Sequence, residues 1–586
     1  MKLLLFALTA SAVQVDLGYS IYEGSLQSGL NVWQGIRYAA PPGRWQAPQP
    51  PTTNRTVIQA NGVPDQCLQA GSNTDVPGSD LDYADRPWGG IGSEDCLFLS
   101  VYSPLKARSL PVVVWIHGGG YGLGNGNQNL TDLILANNKS FIGVTIQYRL
   151  GAMGFLSSDE VDRYGTVNAG LKDQTFALRW VQKYIRLFGG NPRKVTIFGE
   201  SAGAGSVMLQ SIIYNGNLGT SLFKNVIAAS PYLPMQHDYN SYIPTQSYYA
   251  FALAAGCFPG VAVGSPSGQG DIFKCLLEQS TATIRNASAI VASSENYGTY
   301  GFAPVTDRDY LMQRPSVQFK KRQVNGQRVL SGNNAEEGSN FVPQNVTTEA
   351  QLLDYLAETF PLFSKDDISK ILEAYPSNMG NAVGVNFATL GDSSPTALDQ
   401  SAVATGQQQR VNNIYAETTF VCPSYWLAEG FSSPGHGAYK YQYSVPAAIH
   451  STEETAYFGG SQPNIGPDFM KAFMTIYGNF ITKGDPSIPS SIAHGDHANT
   501  TRSKPNPISN WPRYTLDKPL QINLNETGGQ EFTALTGGFL DKLIFAREHQ
   551  GPGLRNDIRL VNAYDWEGGR GKRCEFWREM GALVPE

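Results

Sequence analysis

The sequence predicts an α/β fold, a large and mostly parallel sheet flanked by helices, on three observations. Short apolar runs rich in β-branched residues alternate with amphipathic stretches through the first half of the chain, as when strands buried on both faces are covered by helices. A strand-like run enters Gly-x-Ser-x-Gly and passes straight into a helical stretch, KVTIFGESAGAGSVMLQ. No interdomain linker and no internal repeat interrupts the 586 residues, so residues 13–586 read as one large domain with long loop excursions.

In chain order, MKLLLFALTASA joins a lysine, an apolar run and the small residues Ala10, Ser11 and Ala12, so residues 1–12 read as a short secretory signal; a buried first strand or a truncated gene start is the alternative. LPVVVWI (Leu110 to Ile116), FIGVTIQY (Phe141 to Tyr148), KVTIF (Lys194 to Phe198) and NVIAAS (Asn225 to Ser230) are expected as buried strands. Between them, Asp173 to Phe188 forms a helix with Leu178, Val181, Ile185 and Phe188 on one face, and GGNP ends it. RVLSG (Arg328 to Gly332) and AYKYQYS (Ala438 to Ser444) follow as later strands. The patches Gly264 to Gly270 and Gly391 to Pro395 read as surface loops.

Composition narrows the partners. With 41% hydrophobic and 16% charged residues and a net charge of -6, the chain has an ordinary globular balance and points to no nucleic-acid or acidic-membrane partner. Past the N-terminus no apolar stretch is long and uncharged enough to span a bilayer, so stable membrane insertion is not expected. Cys67, Cys96, Cys257, Cys275, Cys422 and Cys574 form no C-x-x-C pair and lie near no histidine at ligand spacing, which favours disulfides over zinc. Cys67 with Cys96 and Cys257 with Cys275 are near neighbours, each enclosing a segment rich in Gly, Ser and Pro, where a clamp restricts the unfolded chain. Asn54, Asn129, Asn138, Asn286, Asn345, Asn499 and Asn525 each begin a glycosylation sequon, which fits a secretory route.

Chemistry centres on Ser201. A strand-to-helix turn this tight strains its central residue and pushes the side chain outward, while Gly199 and Gly203 remove the side chains that would collide. A serine hydroxyl attacks a carbonyl only when a base takes its proton and donors steady the oxyanion. WIHGGGYGLGNG (Trp115 to Gly126) follows a buried strand and exposes successive backbone N–H groups, an oxyanion loop of HGGG type with Gly119 and Gly120 as donors and Ala202 as the third. It lacks the G-K-[ST] of a phosphate loop and the spacing of a dinucleotide loop. With this elbow the order is serine, acid, histidine; His237, His436, His450, His494, His497 and His549 follow Ser201. His450 lies on the loop beyond AYKYQYS and is the candidate base, whereas His494 and His497 sit in a polar stretch and read as solvated. Glu336 and Glu337 follow the RVLSG strand; Glu337, which abuts Gly338, is chosen as the carboxylate that fixes the imidazole tautomer.

With these parts in order the chain resembles the type-B carboxylesterase and lipase family, which includes cholinesterases and fungal lipases. The resemblance is carried by WQGIRYAAPPGRWQAP, SEDCLFLSVY, QYRLGAMGFL, NAGLKDQ, FGGNP, GESAG and EEGSNF, in sequence, with Arg37 where the family has proline. It implies an α/β-hydrolase fold whose long loops form a gorge and lid, and a serine carboxylic ester hydrolase working through an acyl-enzyme. Ser201, Glu337 and His450 are then the triad, Gly119, Gly120 and Ala202 the oxyanion donors, and Glu200 and Ser230 support the histidine side. The first two cysteine pairs match the family's common disulfides, and Cys422 with Cys574 resembles the third pair of cholinesterases. Tyr83 and Trp88 do not fall at the position of a choline-stacking tryptophan, so choline specificity is not implied. The expected partner is a small-molecule or lipid ester, with no cofactor or metal; the oligomeric state stays open. Alternatives are an esterase of a secondary-metabolite pathway, a lipase on long-chain acylglycerols with the Cys67–Cys96 loop as its lid, and, more remotely, a non-catalytic binding protein.

Overall fold

The computed structural model describes residues 13–71, 92–258, 271–296, 298–377, 389, 391–495, 505–539 and 542–584. Residues 1–12, Tyr83, Trp88, most of the loop between Cys67 and Cys96, the 264–270 patch, His497 and Asn499 lie outside the described residues.

The strands run in chain order as β1 (Val13–Asp16), β2 (Ile21–Gln27), β3 (Leu30–Arg37), β4 (Val57–Gln59), β5 (Phe98–Pro104), β6 (Leu110–Ile116), β7 (Ile142–Ile146) and β8 (Gly190–Glu200). They continue as β9 (Asn225–Ala229), β10 (Arg328–Asn334), β11 (Gly437–Tyr443), β12 (Leu520–Thr527), β13 (Gln530–Phe539), β14 (Lys542–Gln550) and β15 (Arg555–Asn562). One sheet has the order β1-β2-β3-β5-β7-β6-β8-β9-β10-β11-β12-β15, with β4 beside β2, while β13 and β14 form a separate hairpin. From β7 to β12 every neighbouring pair is parallel, and both flanks are antiparallel apart from β4, which pairs with β2 in parallel.

Six of the seven strands of the parallel centre, β6 to β11, are those expected from sequence, and β12 was not expected. Val112, Val113, Val114, Trp115 and Ile116 of β6 are all buried, because helices cover both faces and no position alternates to solvent. The antiparallel flanks escaped the sequence reading, since strands such as IYEGSLQ and RNDIRLVN keep one face wet and carry charged residues. The helix expected from Asp173 begins at Ala169 and runs to Tyr184, continued by a tighter turn, Ile185–Phe188, that Gly189 ends at φ +86. Asp173 does not mark a helix start: it is wholly buried and holds Arg149 at 2.7 Å.

Three disulfides join Cys67 to Cys96, Cys257 to Cys275 and Cys422 to Cys574. The last straps the C-terminal helix Trp566–Met580 to the helix Cys422–Gly430, closing 152 residues of sequence separation. Ser201 follows β8, Glu337 follows β10 and His450 follows β11, so the three reach one rim of the sheet, outside the carboxyl ends of parallel strands.

Candidate active site

β8 ends at Glu200 and the helix Ala202–Gln210 begins two residues later, leaving Ser201 alone to make the turn at φ 55, ψ −125. A β-carbon on Gly199 would fall 2.2 Å from backbone atoms of Gly203, and one on Gly203 would fall 2.0 Å from the carbonyl of Ile116. Two glycines therefore let the chain close. The strained serine is held by its neighbours: its N–H donates to Ala229, and its carbonyl accepts from Gly205 and Tyr232.

His450 Nε2 lies 2.9 Å from Ser201 Oγ, and Nδ1 lies 2.6 Å from Glu337 Oε2. A carboxylate at Nδ1 keeps the proton on that nitrogen, so Nε2 is free to accept from the hydroxyl. Glu337 is fully buried, and its other oxygen accepts the backbone N–H of Asn334 at 2.6 Å. The acid and histidine loops are stitched together by Glu336 N–H to the Ala448 carbonyl and Asn334 Nδ2 to the Ile449 carbonyl. Gly338 lets this happen, because a β-carbon there would lie 2.0 Å from the Asn412 carbonyl. Phe420 and Phe341 pack on the imidazole with ring centroids 4.3 and 5.1 Å away. Phe420 belongs to a wide turn, Glu417–Val421, that interrupts two helices.

The glycine loop lies against the elbow. A β-carbon on Gly118 would come within 2.9 Å of Ser201 Cβ, and Gly119 and Gly120 both take positive φ. Tyr300 covers Gly120 so closely that a β-carbon there would sit 2.0 Å from its ring. Burial lowers the His117 imidazole to about 4, so this loop carries no cation.

A second layer of carboxylates backs the imidazole. Glu200 Oε1 accepts from Ser451 Oγ at 2.6 Å and lies 3.4 Å from His450 Nε2. Glu453 accepts from Ser230 Oγ at 3.0 Å and from Asn334 Nδ2. Burial first, then the neighbouring carboxylates, pushes Glu200 well up; burial and Glu337 raise Glu453 to about 7, and burial and Glu453 raise Glu454 to about 8. Among the described residues no arginine or lysine pairs with Glu200 or Glu453.

The structure brings Ser201, Glu337, His450, Glu200 and Ser230 together, with Glu453, Asn334, Phe420 and Tyr300 around them, which the sequence reading passed over. The one available signal for Glu453 was an acid three residues beyond His450 in HSTEETAYF, just before aromatic core residues. Of the other histidines, His436 is engaged by Ser433, whereas His237 and His549 line separate cavities. Asn54, Asn129, Asn138, Asn286 and Asn345 are exposed, and Asn525 is half-buried on β12. No cluster suited to a metal ion exists among the described residues.

A cavity of about 550 Å³ with a largely apolar lining, including Tyr232, Tyr300, Phe302, Ile414 and Tyr415, lies near the elbow, and neither Ser201, His450 nor the glycine loop lines it. It adjoins the elbow through Tyr232, whose N–H bonds the Ser201 carbonyl, and the glycine loop through Tyr300. Tyr242, Ile243 and Leu362, which also line it, are 74%, 42% and 65% exposed.

Residues 14–535 match the carboxylesterase family. Lipase 2 of Geotrichum candidum is 29% identical over 524 residues, covering 82% of this chain and 88% of the lipase. The para-nitrobenzyl esterase of Bacillus subtilis is 31% identical over 376 residues, 63% of this chain and 72% of the esterase. Mouse cholinesterase is 27% identical over 548 residues, with 86% and 81% covered. Among solved structures, Aspergillus niger EstA superposes with a TM-score of 0.72 at 26% identity, covering 98% of this chain and 99% of its own.

Proposed function

Because the chain belongs to the carboxylesterase family and is a carboxylic ester hydrolase, we propose that Ser201 is its nucleophile, His450 its general base and Glu337 the acid that orients the imidazole. The observation that carries this reading is the single imidazole bridging Ser201 Oγ and Glu337 Oε2 at 2.9 and 2.6 Å. His450 takes the hydroxyl proton as Oγ attacks the ester carbonyl, and the oxyanion is received by the N–H groups of Gly119, Gly120 and Ala202. The imidazolium then protonates the leaving alcohol, and water, activated by the same imidazole, releases the acyl group. Glu200 and, behind it, Glu453 with Ser230 favour the imidazolium as it forms, since among the described residues no arginine or lysine pairs with them.

The apolar cavity that meets the elbow through Tyr232 and the glycine loop through Tyr300 favours an ester with a sizeable apolar group, and its exposed apolar rim, Tyr242, Ile243 and Leu362, favours a lipase-like variant of this reading that acts on dispersed acylglycerols. The disulfides, the exposed sequons and the secreted lipases among the relatives, such as LIP1 of Gibberella zeae, support secretion, with residues 1–12 as the signal and 13–586 as a single catalytic domain.

The test is turnover of p-nitrophenyl esters of graded acyl length, run beside Ser201→Ala. That variant should keep its fold and lose about 10⁶-fold in kcat; undiminished turnover would remove Ser201 from the mechanism. The longer acyl chains should give the higher kcat/KM, and a preference for acetate would remove the apolar cavity from substrate binding.

A further inference from the structure

Ser451 follows His450 directly and takes φ 69, in the left-handed region that glycine enters freely and a β-carbon opposes. The turn is fixed on both sides, by the Thr452 N–H to the Ile449 carbonyl and by the Glu454 N–H to the Ser451 carbonyl. A strained residue persists only where its surroundings specify it, and what this turn delivers is a hydroxyl. The Ser451 hydroxyl donates to Glu200 Oε1 at 2.6 Å, the length of a hydroxyl bonded to a carboxylate. That same oxygen lies 3.4 Å from His450 Nε2, the nitrogen that faces Ser201 Oγ at 2.9 Å.

Among the described residues no other group donates a hydrogen bond to the Glu200 carboxylate. Its Oε2 lies against the glycine loop, where a β-carbon on Gly118 would fall 3.0 Å away. The surroundings work against the ionised form. Burial comes first, then Glu454 and Glu453 at the start of the helix Glu454–Phe458 and Glu337 on the acid loop, and together they push the carboxyl well up. The phenols that feel Glu200, on Tyr441, Tyr457 and Tyr477, are themselves pushed up and uncharged, and His117 on the glycine loop is neutral. The Ser451 hydroxyl is the contact that acts in the opposite direction.

We propose that Ser451 is a positioning residue of the ester hydrolysis: its hydroxyl holds Glu200 as an ionised acceptor beside His450 Nε2, so that the carboxylate meets the imidazolium as it forms. This rests on the reading of His450 as the general base. It assigns the strained turn a purpose that glycine, the residue best suited to the backbone, would not serve.

The pH dependence of p-nitrophenyl ester hydrolysis tests this in Ser451→Ala, in Ser451→Gly, and in Ser451→Ala combined with Glu200→Gln. Both single variants should lower kcat by about tenfold with KM nearly unchanged, as for a lost hydrogen bond to a charged acceptor that acts through the transition state. Both should also move the acid limb of kcat/KM up by about one pH unit, because Glu200 then takes its proton more readily. Ser451→Gly should melt above Ser451→Ala, since glycine relieves the positive φ, so the two variants share a kinetic defect while their stabilities part. With Glu200→Gln, which cannot titrate, adding Ser451→Ala should leave the acid limb where it is. Ser451→Gly decides the matter should Ser451→Ala fail to fold. Parent kinetics in Ser451→Gly, a defect confined to Ser451→Ala, or a shift of the acid limb that survives Glu200→Gln would each overturn the proposal while leaving the triad standing. Turnover by Ser201→Ala would instead remove the triad, and the proposal with it.

Discussion

Glu417 and Glu200 are the same residue type at nearly the same burial, 0% and 4% exposed, and their surroundings push them in opposite directions. Glu417 is gripped by Arg573 at 2.6 Å, by Arg570 at 3.2 Å and by the Tyr375 hydroxyl at 2.7 Å, and despite burial these partners hold its carboxyl below the usual range. Glu200 faces a serine hydroxyl, the edge of an imidazole and the field of three further carboxylates, and burial with that field pushes it up. The first arrangement is complete in the resting protein. It ties the C-terminal helix to the wide turn that carries Phe420 onto His450. The second lacks a cation until the histidine becomes one, and this is how a buried carboxylate is set aside for chemistry rather than for cohesion.

The difference can be broken first at the imidazole itself. Glu337→Gln leaves the shape intact but no longer stabilises the imidazolium, so kcat should fall by about 10⁴-fold with the melting temperature nearly unchanged. A comparable loss of stability and a small loss of kcat would make Glu337 a structural residue.

On the cohesive side, Glu417→Ala leaves two buried arginines without their carboxylate. Denaturant unfolding should show a loss of about 3–5 kcal/mol, while kcat per folded molecule changes little. A variant as stable as the parent would show that the arginine knot contributes no cohesion.

A subtler break uses pH. The Glu453 carboxyl is raised in the fold to about 7 from 4.5, so its favourable contribution is complete below about 4.5 and is lost as pH rises through about 7. Glu453→Gln cannot titrate, so between pH 5 and 8 it should gain on the parent by on the order of 1–3 kcal/mol, whatever constant cost the substitution carries. Glu417 has the opposite sign: lowered in the fold, it contributes above its unfolded value and is lost on acidification. A stability difference flat in pH would mean that Glu453 is ionised throughout.

The same contrast explains what could be read in advance. Ser201 was legible because the elbow is local: a β-branched strand, two glycines without which the backbones collide, and a helix lie within one continuous stretch. Glu337 could be preferred over Glu336 because it abuts Gly338 in EEGSNF; the structure shows what that glycine does, since it lets the chain pass the Asn412 carbonyl. Glu453 was not legible, since its partner Ser230 lies 223 positions away and no local pattern joins them. The arginine knot was hidden for the same reason, with 156 residues between Glu417 and Arg573. β2 and β15 were missed because half-wet strands with charged residues look like loops, whereas β6 to β11 form short apolar runs; β5 and β12, mostly buried but interrupted by serine or asparagine, were missed as well.

The most direct test is covalent. Treatment with a fluorophosphonate, followed by intact-mass measurement and peptide mapping, should show a single adduct on Ser201 whose formation parallels the loss of ester turnover, and Glu337→Gln should slow that labelling steeply. An adduct on another residue, or full turnover by protein labelled at Ser201, would contradict Ser201 as the nucleophile.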